Sequence, residues 1–432
     1  MGAVVSQPLI SRGTRIAVVG SGISGLAFAW LLAPWCRVTL FEAAATLGGH
    51  TNTVDVTLDG HTHGVDTGFL VYNERTYPNL IRLFAHLGVE SAPSEMSFSV
   101  KIGAGELEWA GTSLASVFAQ PSNLARPRFL RMLADLLRFN RHATRLATSG
   151  EALRGTLGEF LDEHGYGQDL RGLYLVPMAA CIWSTPASQI NRFPLHTFLT
   201  FCHNHGLLAV TNRPQWRTVV GGAREYVKKL AAPLPDIRLA TPVRAVRRFE
   251  DRVEVATDRG SEPFDQVVLA THTDQSLALL DHPGTEERTV LRAIPYQANR
   301  AVLHTDASLL PTRRRAWASW NFHSAVAAPT DEPVSLSYLI NRLQPLPFAT
   351  PVVVTMNPLR EPRADTVIAA FDYHHPVFLE GSDEAKRRVA DLQGGRRTWY
   401  CGAWTRYGFH EDGLLSAMNV ARQMGASIPW QT

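Results

Sequence analysis

The first strong hydrophobic pattern in the chain is a short apolar run, a glycine turn and a longer apolar stretch. Arg15–Val19 is a β-branched run of the kind that is buried in parallel sheets. A G-x-G-x-x-G turn separates it from a predicted helix, Ile23–Leu32, and a second predicted strand covers Arg37–Phe41. The pattern therefore predicts the first strand, helix and strand of a doubly wound α/β sheet.

Each glycine of this turn suits a phosphate-binding loop. Gly20 permits the tight turn, Gly22 lets a pyrophosphate approach the backbone, and Gly25 lets the helix lie close to the strand. The N–H groups and the positive end of the helix dipole then hold the phosphates. The residues expected there are those of the loop and the first helical turn: Gly20, Ser21, Gly22, Ile23, Ser24 and Gly25.

An acidic residue completes the dinucleotide pattern. Glu42 follows the second predicted strand, 22 residues after Gly20. A carboxylate at this distance can accept hydrogen bonds from both hydroxyls of an adenosine ribose, and it would repel a 2′-phosphate. The sequence therefore predicts a dinucleotide cofactor without a 2′-phosphate.

A second glycine pair indicates which dinucleotide is bound. The segment 48–53, G-G-H-T-N-T, resembles the G-G-R-x-x-T signature of flavoproteins in the amine oxidase superfamily. The resemblance implies FAD, whose pyrophosphate the glycine pair would approach. It departs at His50, where the usual arginine carries a permanent charge and an imidazole is mostly neutral at pH 7.

The resemblance continues in V-D-T-G-F at 65–69, T-P-V at 241–243, V-V-L-A-T at 267–271 and G-F-H-E-D-G at 408–413. It implies that the helix after Gly408 directs its N-terminus at the flavin, where its dipole stabilises negative charge. The acids at 411 and 412 also suit an ordinary helix start. The residues that it assigns to FAD are Gly48, Gly49, His50, Thr51, Gly68, Phe69, Val243, Ala270, Gly402, Gly413 and Leu414.

The order of these segments predicts two interleaved domains of an α/β protein. We expect a Rossmann-type FAD-binding domain, similar to that of glutathione reductase, from residues 14–73, 212–282 and 393–432. An α+β substrate domain, as in amine oxidases, would fill residues 74–211 and 283–392. The length of 432 residues suits two such domains better than one core.

Several motifs resemble one subgroup of this superfamily more closely. They include V-Y-N-E-R-T-Y-P-N-L at 71–80, A-A-C-I-W-S-T-P at 179–186, P-Q-W-R-T-V-V-G-G at 214–222 and W-A-S-W-N-F at 317–322. The subgroup is associated with cyclopropane fatty-acyl synthases, and in plants a similar sequence forms their N-terminal domain. The resemblance implies desaturation or double-bond isomerisation on unsaturated or methyl-branched fatty acyl chains, with a cyclopropane-type lipid methyltransferase as functional partner.

Two features argue against an amine or amino-acid oxidase, which remains an alternative. Amine oxidases usually hold a lysine near flavin N5, and this chain has no lysine between 229 and 386. They also flank the flavin with aromatic residues, and His410 takes one such position, three residues before Gly413. An imidazole there can transfer a proton, or it can simply pack at the helix start. A second alternative is a non-catalytic, flavin-bound accessory protein of a lipid methyltransferase.

Large apolar residues offer candidates for an acyl-binding tunnel, although any of them can equally be plain core. Hydride is released more readily beside a double bond, which favours a substrate that is already unsaturated. The candidates are Met96, Phe98, Trp109, Met178, Trp183, Phe198, Trp317, Trp320 and Phe322.

Residues 124–147 form an amphipathic stretch rich in arginine. Leucines and phenylalanines at helical spacing give an apolar stripe, opposed by six arginines and only one acid, Asp135. Two interpretations stay open: a substrate-domain helix with a solvated basic face, or a face that rests on anionic membrane lipid.

Composition narrows the class of protein. The net charge of +3 is too small to predict nucleic-acid binding. Four scattered cysteines predict reduced thiols. The sequence has no run of 18 apolar residues, so we predict no membrane span. The histidines match no metal-binding spacing, so we expect no metal site. We expect a cytoplasmic protein, with peripheral contact at the inner face of the membrane as an option.

Overall fold

The computed structural model describes residues 11–151, 153–183, 187–209, 213–326 and 335–431. Residues 184–186, which end one of the subgroup motifs, and the domain limits at 212 and 432 lie outside the described residues. None of the described helices combines the length and the apolar character needed to cross a bilayer.

A five-stranded parallel sheet forms the first layer of the fold. When its strands are numbered in chain order, their order in space across the sheet is 3-2-1-4-5. This is the order of a Rossmann-type sheet, so the predicted α/β class is confirmed. In chain order the strands are Arg15–Val19, Arg37–Phe41, Asp236–Arg238, Gln266–Leu269 and Thr398–Tyr400.

Helices cover one of the two apolar faces of this parallel sheet. Ile23–Leu32 is buried along almost its whole length and packs against His410–Gln423. Arg224–Ala231 packs against Ile23–Leu32, and Pro78–Leu87 packs against both His410–Gln423 and Arg224–Ala231. The apolar core under these helices is separate from a larger core, which includes the other face of the sheet.

A mixed seven-stranded sheet dominates the second half of the fold. Its order in space runs from Val367–Pro376 through Tyr296–His304, Val353–Met356, Ser335–Leu339, Trp320–Ser324 and Phe98–Ile102 to Leu107–Ala110. Smaller sheets complete the β-structure: Thr53–Leu58 with His61–Asp66; Tyr72–Asn73, Trp216–Val219 and Ser91–Ser94; and Val243–Arg248, Val253–Thr257 and Gly260–Phe264.

The other α-helices lie mainly beside the seven-stranded sheet. A π-helical turn at Arg171–Leu175 joins Gln168–Leu170 to Val176–Trp183. The remaining α-helices are Leu114–Val117, Pro127–Thr148, Leu157–Glu163, Ala187–Ile190, Leu195–Asn204, Thr273–Leu279, Thr285–Arg292, Ile340–Leu343 and Ser382–Leu392.

The structure corrects two details of the arginine-rich stretch. The helix Pro127–Thr148 buries Phe129 and Phe139, but Leu130 and Leu137, which belonged to the predicted apolar stripe, lie exposed. Asp135 is also not the only acid beside the arginines, because Asp169 from a neighbouring helix binds two of them. A partner from another part of the chain is invisible to helical periodicity.

Candidate active site

The predicted nucleotide-binding residues emerge at one edge of the parallel sheet. Val19 pairs with Phe41 on one side and with Leu269 on the other, and Leu269 pairs with Tyr400. The strands therefore end level, and the residues that follow them lie side by side. This edge is where doubly wound sheets bind their ligands, next to the point at which the strand order reverses.

The glycine loop at this edge has the geometry that its pattern predicts. Gly20 has a φ of +99°, and a Cβ there would lie 2.9 Å from the Ala270 carbonyl oxygen. A Cβ on Gly25 would lie 1.9 Å from the carbonyl oxygen of Gly20. By contrast, a Cβ on Gly22 would meet nothing within 4 Å. The loop is thus tight on its protein side and open in front of Gly22.

Glu42 lies beside the loop and is already hydrogen-bonded to it. Its Oε2 accepts the backbone N–H of Ser21 at 2.9 Å and the Ser21 hydroxyl at 2.6 Å. The other oxygen accepts the backbone N–H of Ala44 at 2.8 Å. These bonds fix the carboxylate at the end of its strand, and its contact with a ribose remains a prediction.

The second glycine pair closes over the first loop. The backbone N–H of Gly48 donates to the Ser21 hydroxyl at 3.2 Å, and a Cβ on Gly49 would lie 3.2 Å from the Cα of Gly22. Both glycines have positive φ, at +116° and +57°. The two backbone segments therefore flank the open space in front of Gly22 from two sides.

Histidine and tyrosine rings gather around the imidazole of His50. Its ring centroid lies 5.2 Å from that of Tyr373, 5.3 Å from His375 and 6.0 Å from His272. Burial lowers the pKa of His50 to about 4 and those of His272 and His375 to about 3. All three imidazoles are therefore neutral at pH 7.

One atom of this cluster has no partner. The Nε2 of His50 is buried and makes no hydrogen bond to any of the described residues, while the ring bonds to the backbone of His374. Nearby, the Tyr373 hydroxyl is held by Thr67 at 2.7 Å and by Asn52 at 3.0 Å. A buried, unpaired ring nitrogen in a polar cluster calls for a ligand, since such groups are rarely left unbonded.

His410 stands at the start of its helix in a second group of polar and aromatic side chains. Its Nε2 lies 2.9 Å from the Thr51 hydroxyl and 3.1 Å from the Tyr226 hydroxyl, and its ring stacks on Phe69 with centroids 3.6 Å apart. Burial, with a smaller contribution from His50, lowers its pKa to about 3. The imidazole is neutral and held in place, and its proposed catalytic role remains a prediction.

Three buried carboxylates near this group are occupied by structural hydrogen bonds. Asp66 accepts the backbone N–H of Ala223 at 2.9 Å, just before the helix Arg224–Ala231. Glu411 accepts the backbone N–H groups of two residues of Pro78–Leu87, and Asp412 accepts that of Phe409 at 3.0 Å. Burial raises the pKa of Asp66 to about 7 and that of Asp412 to about 6.

Aromatic rings line the far side of the His410 loop. Phe409 stacks on Phe201 with centroids 5.0 Å apart, and Trp183 lies 4.7 Å from Phe201. Trp183 also contacts Phe193, at 4.5 Å. We call Trp183, Phe193, Phe201 and Phe409 the aromatic cluster; it joins the helical layer to the start of His410–Gln423.

The other predicted positions divide into edge residues and packing residues. The backbone of Thr241 bonds to that of Glu42, which places the segment with Val243 beside the Glu42 carboxylate. The Gly402 N–H donates to Ser416, and a Cβ on Gly413 would lie 2.8 Å from Ile23. Leu414 is completely buried in the core around the parallel sheet. Gly413 therefore serves close helix packing.

Several residues at the site were not among the predicted ones. Three of them carried a signal in the sequence: His272 directly follows the V-V-L-A-T run, and Tyr373 and His375 alternate on one face of a strand. Tyr226 carried none, because its contact with His410 joins residues far apart in the chain.

The tunnel candidates also separate in the structure. Trp183 and Phe198 lie in the helical layer, and Trp320 and Phe322 lie on the seven-stranded sheet. Trp317 packs elsewhere, against a small cluster with Leu310. Of these candidates, Trp183 is connected to the His410 loop, through Phe201 and Phe409.

The site fits FAD. The space in front of Gly22 admits a phosphate backbone, the helix behind it has no acid in its first turn, and His50 offers an unpaired ring nitrogen. The residues that would hold the cofactor are those of the two glycine segments, Glu42 and His50.

Solved structures of oxidases and an isomerase share the whole fold. A CLA-producing fatty acid isomerase from P. acnes is 16% identical, with a TM-score of 0.67 over 96% of this chain and 99% of that chain. Cyclohexylamine oxidase from Brevibacterium oxydans IH-35A is 15% identical, with a TM-score of 0.69 over 95% and 98%. Wild-type putrescine oxidase is 16% identical, with a TM-score of 0.67 over 95% and 98%. No curated protein sequence matches the chain.

At these identities the structural likeness establishes the fold and leaves the substrate open. The sequence itself matches the flavin containing amine oxidoreductase family over residues 23–312, which is more than half of the chain. The match includes the first phosphate-binding helix, the second glycine pair and Glu42. The chain therefore belongs to the flavin-containing amine oxidoreductase family and is an FAD-dependent oxidoreductase.

Proposed function

We propose that this oxidoreductase acts on an unsaturated or methyl-branched long-chain fatty acyl group, by desaturation or by double-bond isomerisation. The observation that carries the proposal is the set of aromatic rings beside His410. The aromatic cluster borders the loop that opens its helix, and Phe69 stacks on the imidazole itself. Such rings suit an acyl chain and exclude water.

The buried carboxylates support an uncharged substrate. Asp66, Glu411 and Asp412 already accept backbone N–H groups, and burial raises the pKa of each, which disfavours the charged carboxylate that would pair with a substrate ammonium. The missing lysine between residues 229 and 386 points in the same direction. The three carboxylates and the missing lysine therefore give no support to the alternative of an amine oxidase.

Bound FAD supplies a hydride acceptor. The chain's own part is to position the acyl chain, exclude water and keep nearby groups neutral. His410 meets the last requirement, because its low pKa leaves no imidazolium to attract water at neutral pH. Thr51 and Tyr226 lie within hydrogen-bond distance of its Nε2 and fix the orientation of the ring.

The two proposed reactions share their first bond cleavage, the loss of hydride from a carbon beside a double bond. In isomerisation the hydride returns to a different carbon, and no other electron acceptor is needed. In desaturation a proton also leaves the acyl chain, and the electrons pass to an external acceptor such as O2 or a quinone. Because the chain shares its fold with a fatty acid isomerase, isomerisation is the reaction to assay first.

Anaerobic reduction of the flavin tests the proposal. Purified holoprotein is mixed with unsaturated phospholipid or with a panel of amines, and loss of the visible flavin band is followed. We expect bleaching, or product formation without net bleaching, with lipid alone. Bleaching by an amine alone would overturn the proposal. With neither class active, the accessory role beside a lipid methyltransferase would replace it.

A pair of variants locates the acyl site. Phe409→Ser should slow the reaction with lipid by at least about tenfold, because it removes a stacked ring from the aromatic cluster. Trp317→Phe is the control, since Trp317 packs against a different cluster. FAD content is measured in both; equal rates for the two variants would place the acyl chain elsewhere.

A further inference from the structure

The helix Pro127–Thr148 has an outer face that its core contacts do not use. Its inner face buries Phe129, Met132, Phe139 and Ala143. On the outer face, Leu130 and Leu137 are 42% and 48% exposed. They are seven residues apart, so the helix brings them to the same side, two turns from each other.

A further exposed leucine precedes the helix. Leu124, in the 3₁₀ turn just before it, is 60% exposed. Single exposed leucines are ordinary on protein surfaces, whereas several close together mark a contact surface. Leu130 and Leu137 share one side of the helix, and Leu124 lies in the turn that leads into it.

The arginines of the helix fall into two sets. Arg128 and Arg131 pair with Asp169, and Arg138 pairs with Asp135. Arg141 and Arg145 have no acidic partner in the part of the chain that the structure describes. At 100° per residue, Arg141 lies within about 40° of Leu130 and Leu137 around the helix axis. Uncompensated positive charge therefore adjoins the exposed leucines.

We propose that this outer face, defined as Leu124, Leu130, Leu137, Arg141 and Arg145, rests on an anionic phospholipid bilayer. Leucines that enter the headgroup region and arginines that meet lipid phosphates are the two contributions to binding by an amphipathic surface helix. A protein partner would need acidic groups that match the arginines and, beside them, apolar groups that match the leucines. An anionic bilayer presents negative headgroups and an apolar interior over its whole surface. This contact with lipid does not depend on the proposed substrate.

Vesicle co-sedimentation of the holoprotein tests the proposal. Vesicles of phosphatidylglycerol with phosphatidylethanolamine are compared with vesicles of phosphatidylcholine alone. We expect binding to the anionic vesicles that weakens with added salt, and little binding to the neutral ones. Equal binding to both kinds of vesicle, or no binding to either, would overturn the proposal.

Two double variants separate the two contributions. Leu130→Glu with Leu137→Glu should weaken binding to anionic vesicles by at least about tenfold. Arg141→Gln with Arg145→Gln should weaken it by about fivefold for each arginine removed. Trp35→Glu is the control, because Trp35 is also 48% exposed but precedes the strand Arg37–Phe41 of the parallel sheet, outside the proposed surface.

All four positions of the double variants are exposed, so FAD content and the circular dichroism spectrum should stay those of the wild type. Unchanged vesicle binding in both double variants would show that another surface meets the lipid. Weakened binding in the Trp35 variant to the same extent would show a general effect of added negative charge.

Discussion

Two helix N-termini meet at the site, and they differ in what occupies them. Ile23–Leu32 starts at Gly22, has no acid in its first turn, and receives no side-chain cap. His410–Gln423 starts with Glu411 and Asp412 in its first turn, and Asp412 accepts the N–H of the residue just before the helix. Gly413 holds the two helix starts in contact.

The difference shows that a helix N-terminus becomes an anion site only when the chain leaves it free. At the first helix the N–H groups face open space, as a phosphate requires. At the second, two acids already stand in the first turn, and one of them accepts the N–H of the residue just before the helix. The expectation that the second dipole stabilises charge on the flavin stays a prediction, and Asp412 weakens its physical basis.

Placing a carboxylate at the first N-terminus should produce the largest effect. In Gly22→Asp the new side chain meets no protein atom at its Cβ, and the backbone φ of −61° suits any residue. We expect FAD affinity to fall on the order of 100-fold through repulsion of the pyrophosphate. The control, Gly22→Asn, has the same shape without the charge. Fluorescence titration of the apoprotein with FAD measures both; dissociation constants equal to that of the wild type would contradict a phosphate at Gly22.

Removing the carboxylate from the second N-terminus should affect stability instead. Asp412→Ala leaves the backbone N–H groups of Tyr407 and Phe409 without their acceptor. We expect a loss of about 1–2 kcal/mol in the free energy of unfolding, with FAD affinity changed less than about threefold. Urea titration of the apoprotein measures the first quantity. A large loss of FAD affinity in a folded variant would assign the second N-terminus to the cofactor.

The difference in unfolding free energy between wild type and Asp412→Ala should also depend on pH. Burial raises the pKa of Asp412 to about 6, above its value in the unfolded chain. The folded protein therefore keeps a proton that the unfolded chain releases, and this stabilisation is lost as the pH rises from about 4 to about 6. The stability difference between wild type and Asp412→Ala should shrink over that range.

His50, which follows the second glycine pair, should give a smaller effect. Its pKa of about 4 makes it a neutral hydrogen-bonding partner at pH 7. His50→Gln keeps a donor and should change FAD affinity by less than about threefold, whereas His50→Leu should weaken it by about tenfold. Equal loss in both variants would indicate that an imidazolium binds the phosphate.

Local backbone patterns were the part of the fold that the sequence could predict. The first strand, helix and second strand lie at the residues expected, because glycine spacing and apolar runs determine them locally. The unpaired Nε2 of His50 and the contact of Tyr226 with His410 depend on segments far apart in the chain. Asp169 also comes from another helix, so the periodicity of residues 124–147 could not show that it pairs with the arginines. Long-range side-chain partners have no periodic signal, so only the assembled structure shows them.

The smallest predicted effect concerns His272, which lies beside His50 and stacks on Tyr296 with centroids 4.1 Å apart. Burial lowers its pKa to about 3, whereas the unfolded chain has a value near 6.5. The unfolded state thus binds more protons between these values, and stability falls as the pH falls. For this one group the loss between pH 7.5 and 5.5 is about 1 kcal/mol.

His272→Gln should therefore lose about 1 kcal/mol less than wild-type apoprotein over that interval, in urea titrations at both pH values. If His272→Gln kept the wild-type pH dependence instead, the imidazole would be charged in the folded apoprotein. The cluster around His50 would then present a positive charge to the first N-terminus, and the contrast between the two helix starts would rest on His272 as well as on Gly22.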